Sequence, residues 1–233
     1  MTVLNTPIRA VVFDLDDTLF PERQYVGSGF RAVGEHLRRQ LHRDERFEDW
    51  LWARFERGEY AGAFDALSEQ FHLKFTARQI EAMVKVYREH RPRISPFGGV
   101  GEMLGRLHAD YRLGLLSDGY LPAQRLKYGA LKLEPFFEAV VFTEELGRDA
   151  WKPSPTGFEE IARVLDVPHE RCAYVGDNPA KDFVAPNALG WRTIQFLHPG
   201  QVHADNSAPE GGRPKFTARL PGDLHNALVA REP

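Results

Sequence analysis

Phe13-Asp14-Leu15-Asp16-Asp17-Thr18-Leu19 closes the largely apolar run Ile8–Phe13, and this junction decides the fold. A short run with a Val pair that ends abruptly in carboxylates reads as a buried strand delivering polar groups at its C-terminal end. Ionised carboxylates resist burial without partners, so acids packed this densely at a strand end call for a divalent cation. If the extended conformation persists, Asp14 and Asp16 point the same way and Asp17 points away. Two carboxylates side by side beneath a metal suit a division of labour between a nucleophile and a general acid/base.

Similar apolar runs recur at Arg112–Leu116, Ala139–Phe142, Cys172–Val175 and Arg192–Phe196. Between them lie helical faces: Val100, Met103, Leu104 and Leu107 share one, and Phe158, Ile161 and Leu165 another. Ser154 and Pro155 read as the N-cap and first position of the second helix. Strands alternating with helices predict an α/β fold, a Rossmann-like parallel sheet covered on both faces. Right-handed crossovers then bring every strand's C-terminus to one edge.

The stretch from about Glu22 to Arg93 shows helical faces only. Phe30, Val33, Leu37 and Leu41 form one, and Phe47, Leu51 and Phe55 the next. Phe64, Leu67 and Phe71 follow, then Ile80, Met83, Val84 and Tyr87, in a helix that Thr76 and Gln79 open with a capping box. The expected organisation is an α/β core of residues 1–20 and 95–233 with an inserted all-helical domain at 21–94. The Gly-, Pro- and polar-rich stretch His198–Pro214 reads as a long surface loop. Lys215–Leu220 and Asp223–Val229 are expected to close the chain as a last strand and helix.

Composition narrows the function. The formal net charge is −3 with no basic block, which argues against general attraction to nucleic acid. No apolar stretch is long enough to span a bilayer, and Met1–Ala10 lacks the pattern of a signal peptide. The single cysteine, Cys172, cannot form an intrachain disulfide, so a reducing cytoplasm is the expected compartment. The histidines are scattered without metal-ligand spacing, which gives no support to a zinc site.

Three further segments end later strands. Leu116-Ser117-Asp118-Gly119 supplies a hydroxyl and a glycine-loosened backbone suited to phosphate oxygens. Trp151-Lys152-Pro153 places a lysine just before a helix N-terminus, where an anion is favoured. Gly176-Asp177-Asn178-Pro179-Ala180-Lys181-Asp182 adds a second carboxylate cluster. A nucleophile, an acid/base, phosphate donors, a cation and metal ligands at one edge fit phosphoryl transfer.

With these segments in this order, the sequence resembles the haloacid dehalogenase superfamily, and the helical insert looks like its C1-type cap. The resemblance implies that Asp14 attacks phosphorus to form an aspartyl-phosphate, while Asp16 protonates the leaving oxygen and later deprotonates water. It implies phosphate contacts from Ser117, Asp118, Gly119 and Lys152, the residues 117–119 acting partly through backbone amides. Magnesium is implied as cofactor, on Asp14, Asp177 and the Asp16 backbone carbonyl. Thr18, Asn178 and Asp182 are expected to support that arrangement, Asp182 by orienting Lys152 or a metal-bound water. An Asn commonly follows the motif serine in relatives, and Asp118 stands there instead. Dehalogenase members lack an acid at the position of Asp16, because halide needs no proton on leaving, so Asp16 favours phosphate esters.

The implied function is a magnesium-dependent phosphatase of small phosphate monoesters, such as a sugar phosphate, a phosphoglycolate-like acid or a nucleotide. A phosphomutase on the same scaffold is the alternative, and a non-catalytic phosphate-binding module is a third. In the helical insert, Arg23, Gln24, Tyr25 and Ser28 are placed to face substrate. Arg88, His90, Arg91 and Arg93 read as a solvated basic face, and Trp50, Trp52 and Phe55 as the insert's core. Tyr120 reads equally as cavity wall or as packing.

Overall fold

The computed structural model describes residues 7–203 and 205–230. The expected core segments 1–20 and 95–233 therefore include residues 1–6, 204 and 231–233, which lie outside the described residues, as does most of Met1–Ala10.

Six strands form one sheet: β1 (Ala10–Phe13), β2 (Arg112–Ser117), β3 (Ala139–Phe142), β4 (Cys172–Gly176), β5 (Arg192–Phe196) and β6 (Phe216–Ala218). Every pairing is parallel, in the order β3-β2-β1-β4-β5-β6. β1 is assigned from Ala10 rather than Ile8, although Arg9 already donates to the Arg171 carbonyl at 2.8 Å. The order reverses at β1, with β2 on one side and β4 on the other, and such a switch point opens a crevice at the strand's carboxyl end.

Alternation along β1 builds both faces of the core. Val11 and Phe13 pack with Leu113, Leu115 and Val175 beneath α5 (Val100–His108), all buried. Ala10 and Val12 face the other way, towards Tyr174 and the apolar stripe Phe158, Ile161 and Leu165 of α7 (Thr156–Leu165). That helix starts one residue later than Ser154-Pro155 predicts. Pro155 already has helical angles (φ −73°, ψ −19°), and the Ser154 hydroxyl accepts from the Thr156 N–H at 3.4 Å. α6 (Ala123–Leu131) follows β2, α8 (Val184–Ala188) follows β4, and α9 (Pro221–Val229) ends the described chain.

Between β1 and α5 the chain forms α1 (Glu22–Leu41), α2 (Phe47–Glu56), α3 (Ala63–Gln70) and α4 (Ala77–Glu89). Their apolar faces are the ones the periodicity marks, gathered in a separate cluster around Val33, Leu37, Phe47, Leu51, Leu67 and Met83. The Thr76–Gln79 capping box opens α4. Among the described residues no helix is long and apolar enough to cross a membrane.

Candidate active site

Register sets Phe13 beside Leu115 and Val175, and one step on the Asp14 N–H donates to the Val175 carbonyl at 2.9 Å. Asp14, Ser117 and Asp177 thus leave the sheet at the same edge. Lys152 reaches them from the loop before α7, its side chain wholly buried. Its ammonium donates to Asp14 Oδ1 at 2.7 Å, to Asp182 Oδ1 at 2.7 Å and to the Tyr174 hydroxyl at 2.8 Å. The second oxygen of Asp182 accepts the Asn178 N–H at 2.8 Å. Gly176 is what admits that carboxylate, since a Cβ there would lie 2.7 Å from Asp182 Oδ2.

Asp14, Asp177 and Asp182 each offer a carboxylate oxygen, all within 4.8 Å of one another and all buried. The Thr18 hydroxyl reaches Asp177 Oδ1 at 3.5 Å, while Asp177 Oδ2 is buried with no hydrogen-bond partner among the described residues. An orphaned buried carboxylate oxygen beside two further acids is the donor set a hard cation takes. Asn178 is held as a turn residue, its Oδ1 accepting from Ala180 N–H and Asn206 Nδ2, each at 3.1 Å.

The electrostatics carry the same signature. Burial pushes the Asp14 carboxyl up to about 6 against the opposing pull of Lys152, and Asp182 adds to the rise. Burial, with Asp182 and Asp14 nearby, raises Asp177 well above the carboxylate range. Burial would lower Lys152, but Asp14 and Asp182 outweigh it and hold the ammonium well above its ordinary value. Lys181 adds a second cation that draws all three carboxyls down.

Asp14 and Asp16 both line the cavity above this edge. Asp17 turns away as predicted, its carboxylate accepting Glu22 N–H at 2.7 Å and Val202 N–H at 2.6 Å. The Asp16 carboxylate does not join the acid cluster. Lys127 Nζ holds both its oxygens, at 2.7 and 2.9 Å, and Gln124 Nε2 donates to one at 2.8 Å. Gln124 also bonds the Ser117 hydroxyl at 3.2 Å and the Asp118 carbonyl. Ser117 is buried, whereas Asp118 and Gly119 are among the residues lining the cavity. The Asp118 carboxylate is occupied by Thr143 Oγ1 at 2.8 Å and Lys152 N–H at 3.2 Å, which leaves backbone rather than side chain for an anion. Gly119 has φ +133°, and a Cβ there would lie 2.6 Å from Gln124 Nε2.

Sequence reasoning missed Gln124 and Lys127, yet a signal exists: both lie on the buried face of α6 with Ala123 and Leu131. It also missed Glu22, which lines the cavity and whose carboxyl burial and Asp16 push up to about 7. The His198–Pro214 stretch is more than surface. Gln201 Nε2 donates to the Asp17 carbonyl at 2.5 Å, and Val202 and His203 line the cavity.

The helical segment departs from expectation in places. Gln24 and Ser28 serve the hinge instead of facing the cavity: Gln24 Oε1 accepts the Ser95 N–H at 2.8 Å, and the Ser28 hydroxyl meets His90 Nε2 at 2.5 Å. Arg23 pairs with Glu56 at 3.3 Å, while Tyr25 does line the cavity. Arg88 is no solvated face. It lies over the Tyr120 ring, 3.5 Å from its centroid, and both residues line the cavity. Phe55 packs on the helices' apolar cluster and also forms cavity wall.

A parallel α/β sheet that gathers carboxylates about a buried lysine at its switch point, beneath a helical layer, defines an enzyme of the Rossmann-like hydrolase class. Residues 8–190 match the family model of the haloacid dehalogenase-like hydrolases, and the chain belongs to that family. It is 31% identical over 197 residues to a glyceraldehyde 3-phosphate phosphatase of Methanopyrus kandleri, covering 81% of this chain and 84% of that one. It is 22% identical over 234 residues to the pyrimidine 5'-nucleotidase YjjG of Escherichia coli, covering 94% and 96%. In fold it is similar to the magnesium-bound putative hydrolase YfnB of Bacillus subtilis, with TM-score 0.68 and 19% identity over 97% of this chain and 100% of that one.

Proposed function

We propose that the chain is a magnesium-dependent phosphatase that hydrolyses phosphate monoesters of small molecules through an aspartyl-phosphate on Asp14. The observation that carries this reading is the buried Lys152 bridging Asp14 and Asp182 at 2.7 Å each, beside the unpartnered oxygen of Asp177. Phosphatases among its relatives support the same reaction type. Asp14 and Asp177 would hold a magnesium ion together with the Asp16 carbonyl, and the ion would supply charge neutralisation at the phosphoryl oxygens. An Asp14 oxygen attacks phosphorus, the bond to the leaving oxygen breaks, and Asp16 gives that oxygen its proton. Water then attacks phosphorus, Asp16 takes the water's proton, and the Asp14–phosphorus bond breaks to free phosphate. Lys152 balances charge at Asp14 throughout, and Gly119 and its neighbours present backbone N–H groups to the phosphate. The helical segment 21–94 acts as the cap that encloses the site. Magnesium-dependent phosphate release from a panel of sugar phosphates, nucleotides and phospho-acids tests the reading, and silence across that panel overturns it.

Lys127 is the positioning residue for Asp16. Lys127→Met is expected to lower kcat on alkyl phosphates by about 10- to 100-fold, the scale of a misplaced reacting group. The loss should be much smaller on aryl phosphates, whose leaving group departs without a proton. Equal losses on both would assign Lys127 a structural role only.

Asp14 and Asp177, raised by burial, favour the protonated folded state. That stabilisation is fully present below their unfolded values near 3.8 and is lost as pH rises through about 6 and above. Metal must displace those protons, so magnesium should stabilise more strongly at pH 8 than at pH 5. At 100 times Kd the gain is about 2.7 kcal/mol, roughly 5–10 °C in Tm. A magnesium shift of equal size at both pH values would exclude these carboxylates as the ligands.

A further inference from the structure

Above the carboxylates lies a partly open cleft of about 910 Å³ between the sheet edge and the four helices. Its size sits near the top of the roughly 300–1,000 Å³ that encloses a drug-sized ligand. A three-carbon phosphate ester would leave most of it empty.

By chemistry the lining divides into three zones. The floor is the phosphate seat: Asp14, Gly119, Lys152 and Asp177. A second zone is Glu22 and Arg88, groups able to accept from and donate to hydroxyls. The helices contribute an apolar wall of Phe30, Phe55, Phe64, Ile80, Val84 and Tyr87. Phe30 and Tyr87 lie 5.7 Å apart between centroids and Phe64 and Tyr87 6.1 Å, while Phe55 pairs separately with Tyr60, also in the lining, at 5.1 Å. Such a wall is suited to stacking or edge contacts with a flat ring.

Resting on the phosphatase reading above, we infer that the substrate joins its phosphate through a hydroxylated segment to a flat, largely apolar ring system, the build of a nucleoside monophosphate. The phosphate occupies the floor, the hydroxyls meet Glu22 and Arg88, and the ring lies on the aromatic wall. Leaving groups of three carbons reach only the first two zones and forgo the third. In an apolar pocket each methylene of lost contact costs about 10-fold or more in kcat/KM, so the preference for the larger ester is expected to be about 100-fold or greater.

The experiment compares kcat/KM for nucleoside 5'-monophosphates and for glyceraldehyde 3-phosphate on the full chain with magnesium, and reads their ratio. Ala63 lines the cavity and is only half-buried. Ala63→Phe fills the ring zone, and Phe55→Ala removes part of its wall. Each should cut the nucleotide-to-triose ratio by about 10-fold or more. Two variants that act by opposite changes of volume keep the result readable if one folds poorly. A ratio near or below one in the wild type, or a ratio unmoved in both variants, overturns the inference and leaves the phosphatase reading intact. Absence of phosphate release from every ester overturns both.

Discussion

Asp14→Asn should abolish turnover while leaving a folded protein. The amide retains an oxygen that can accept from Lys152, now 2.7 Å from Asp14 Oδ1, but it is no nucleophile toward phosphorus. Loss of a catalytic nucleophile costs on the order of 10⁴- to 10⁶-fold in kcat. Stability should respond differently. The Asp14 carboxyl is pushed up to about 6 by burial, so the ionised form is disfavoured where it stands. Replacing it relieves the crowding among Asp14, Asp177 and Asp182, and the magnesium-free variant should melt within a few degrees of the wild type. Steady-state phosphate release and thermal denaturation test both halves. Turnover at the wild-type rate would end the covalent mechanism.

Lys152→Ala is expected to damage both stability and activity. Its ammonium is wholly buried and is the hydrogen-bonding cation shared by Asp14 and Asp182. Removing one partner of a buried ion pair leaves uncompensated charge and costs about 3–5 kcal/mol. For a chain of this size that lowers Tm by roughly 6–20 °C, at about 2–4 °C per kcal/mol. The rate should fall by about 10²- to 10³-fold as well, the scale of losing a group that stabilises transition-state charge. Lys152→Arg should rescue poorly, because the larger guanidinium has no room between Tyr174, Asp14 and Asp182. A variant with Tm and kcat both near wild type would show that the lysine is dispensable. Magnesium addition offers a further reading, since a cation can replace part of the missing positive charge.

Much of this was legible in the chain because the signals are local. An apolar run that leads into an aspartate at its end has few interpretations, and β1, β2 and β4 run into Asp14, Asp118 and Asp177 in that way. The Thr76–Gln79 box and the faces of α1 to α4 are local in the same sense. Side-chain direction across elements is not local. Lys127 and Gln124 read as ordinary polar residues of a short helix until the packing of α6 turns them inward toward Asp16. Arg88 belonged to a run of basic residues, and only the approach of Tyr120 separates it from its neighbours. The stretch after His198 carries no periodicity, so its bonds to Asp17 arise from tertiary placement alone.

The hinge bond between Gln24 and Ser95 bears on how such an enzyme changes its diet. The helical segment departs from the sheet and returns to it at nearly one point. The entropy of closing a loop grows only slowly with the length between its ends. From the sheet's standpoint, then, the helices are a cassette: their number, length and inner surface can be rewritten while the two junctions stay joined. Under the proposed function, chemistry is held by one part of the chain and taste by another, so that selection could revise the second without disturbing the first.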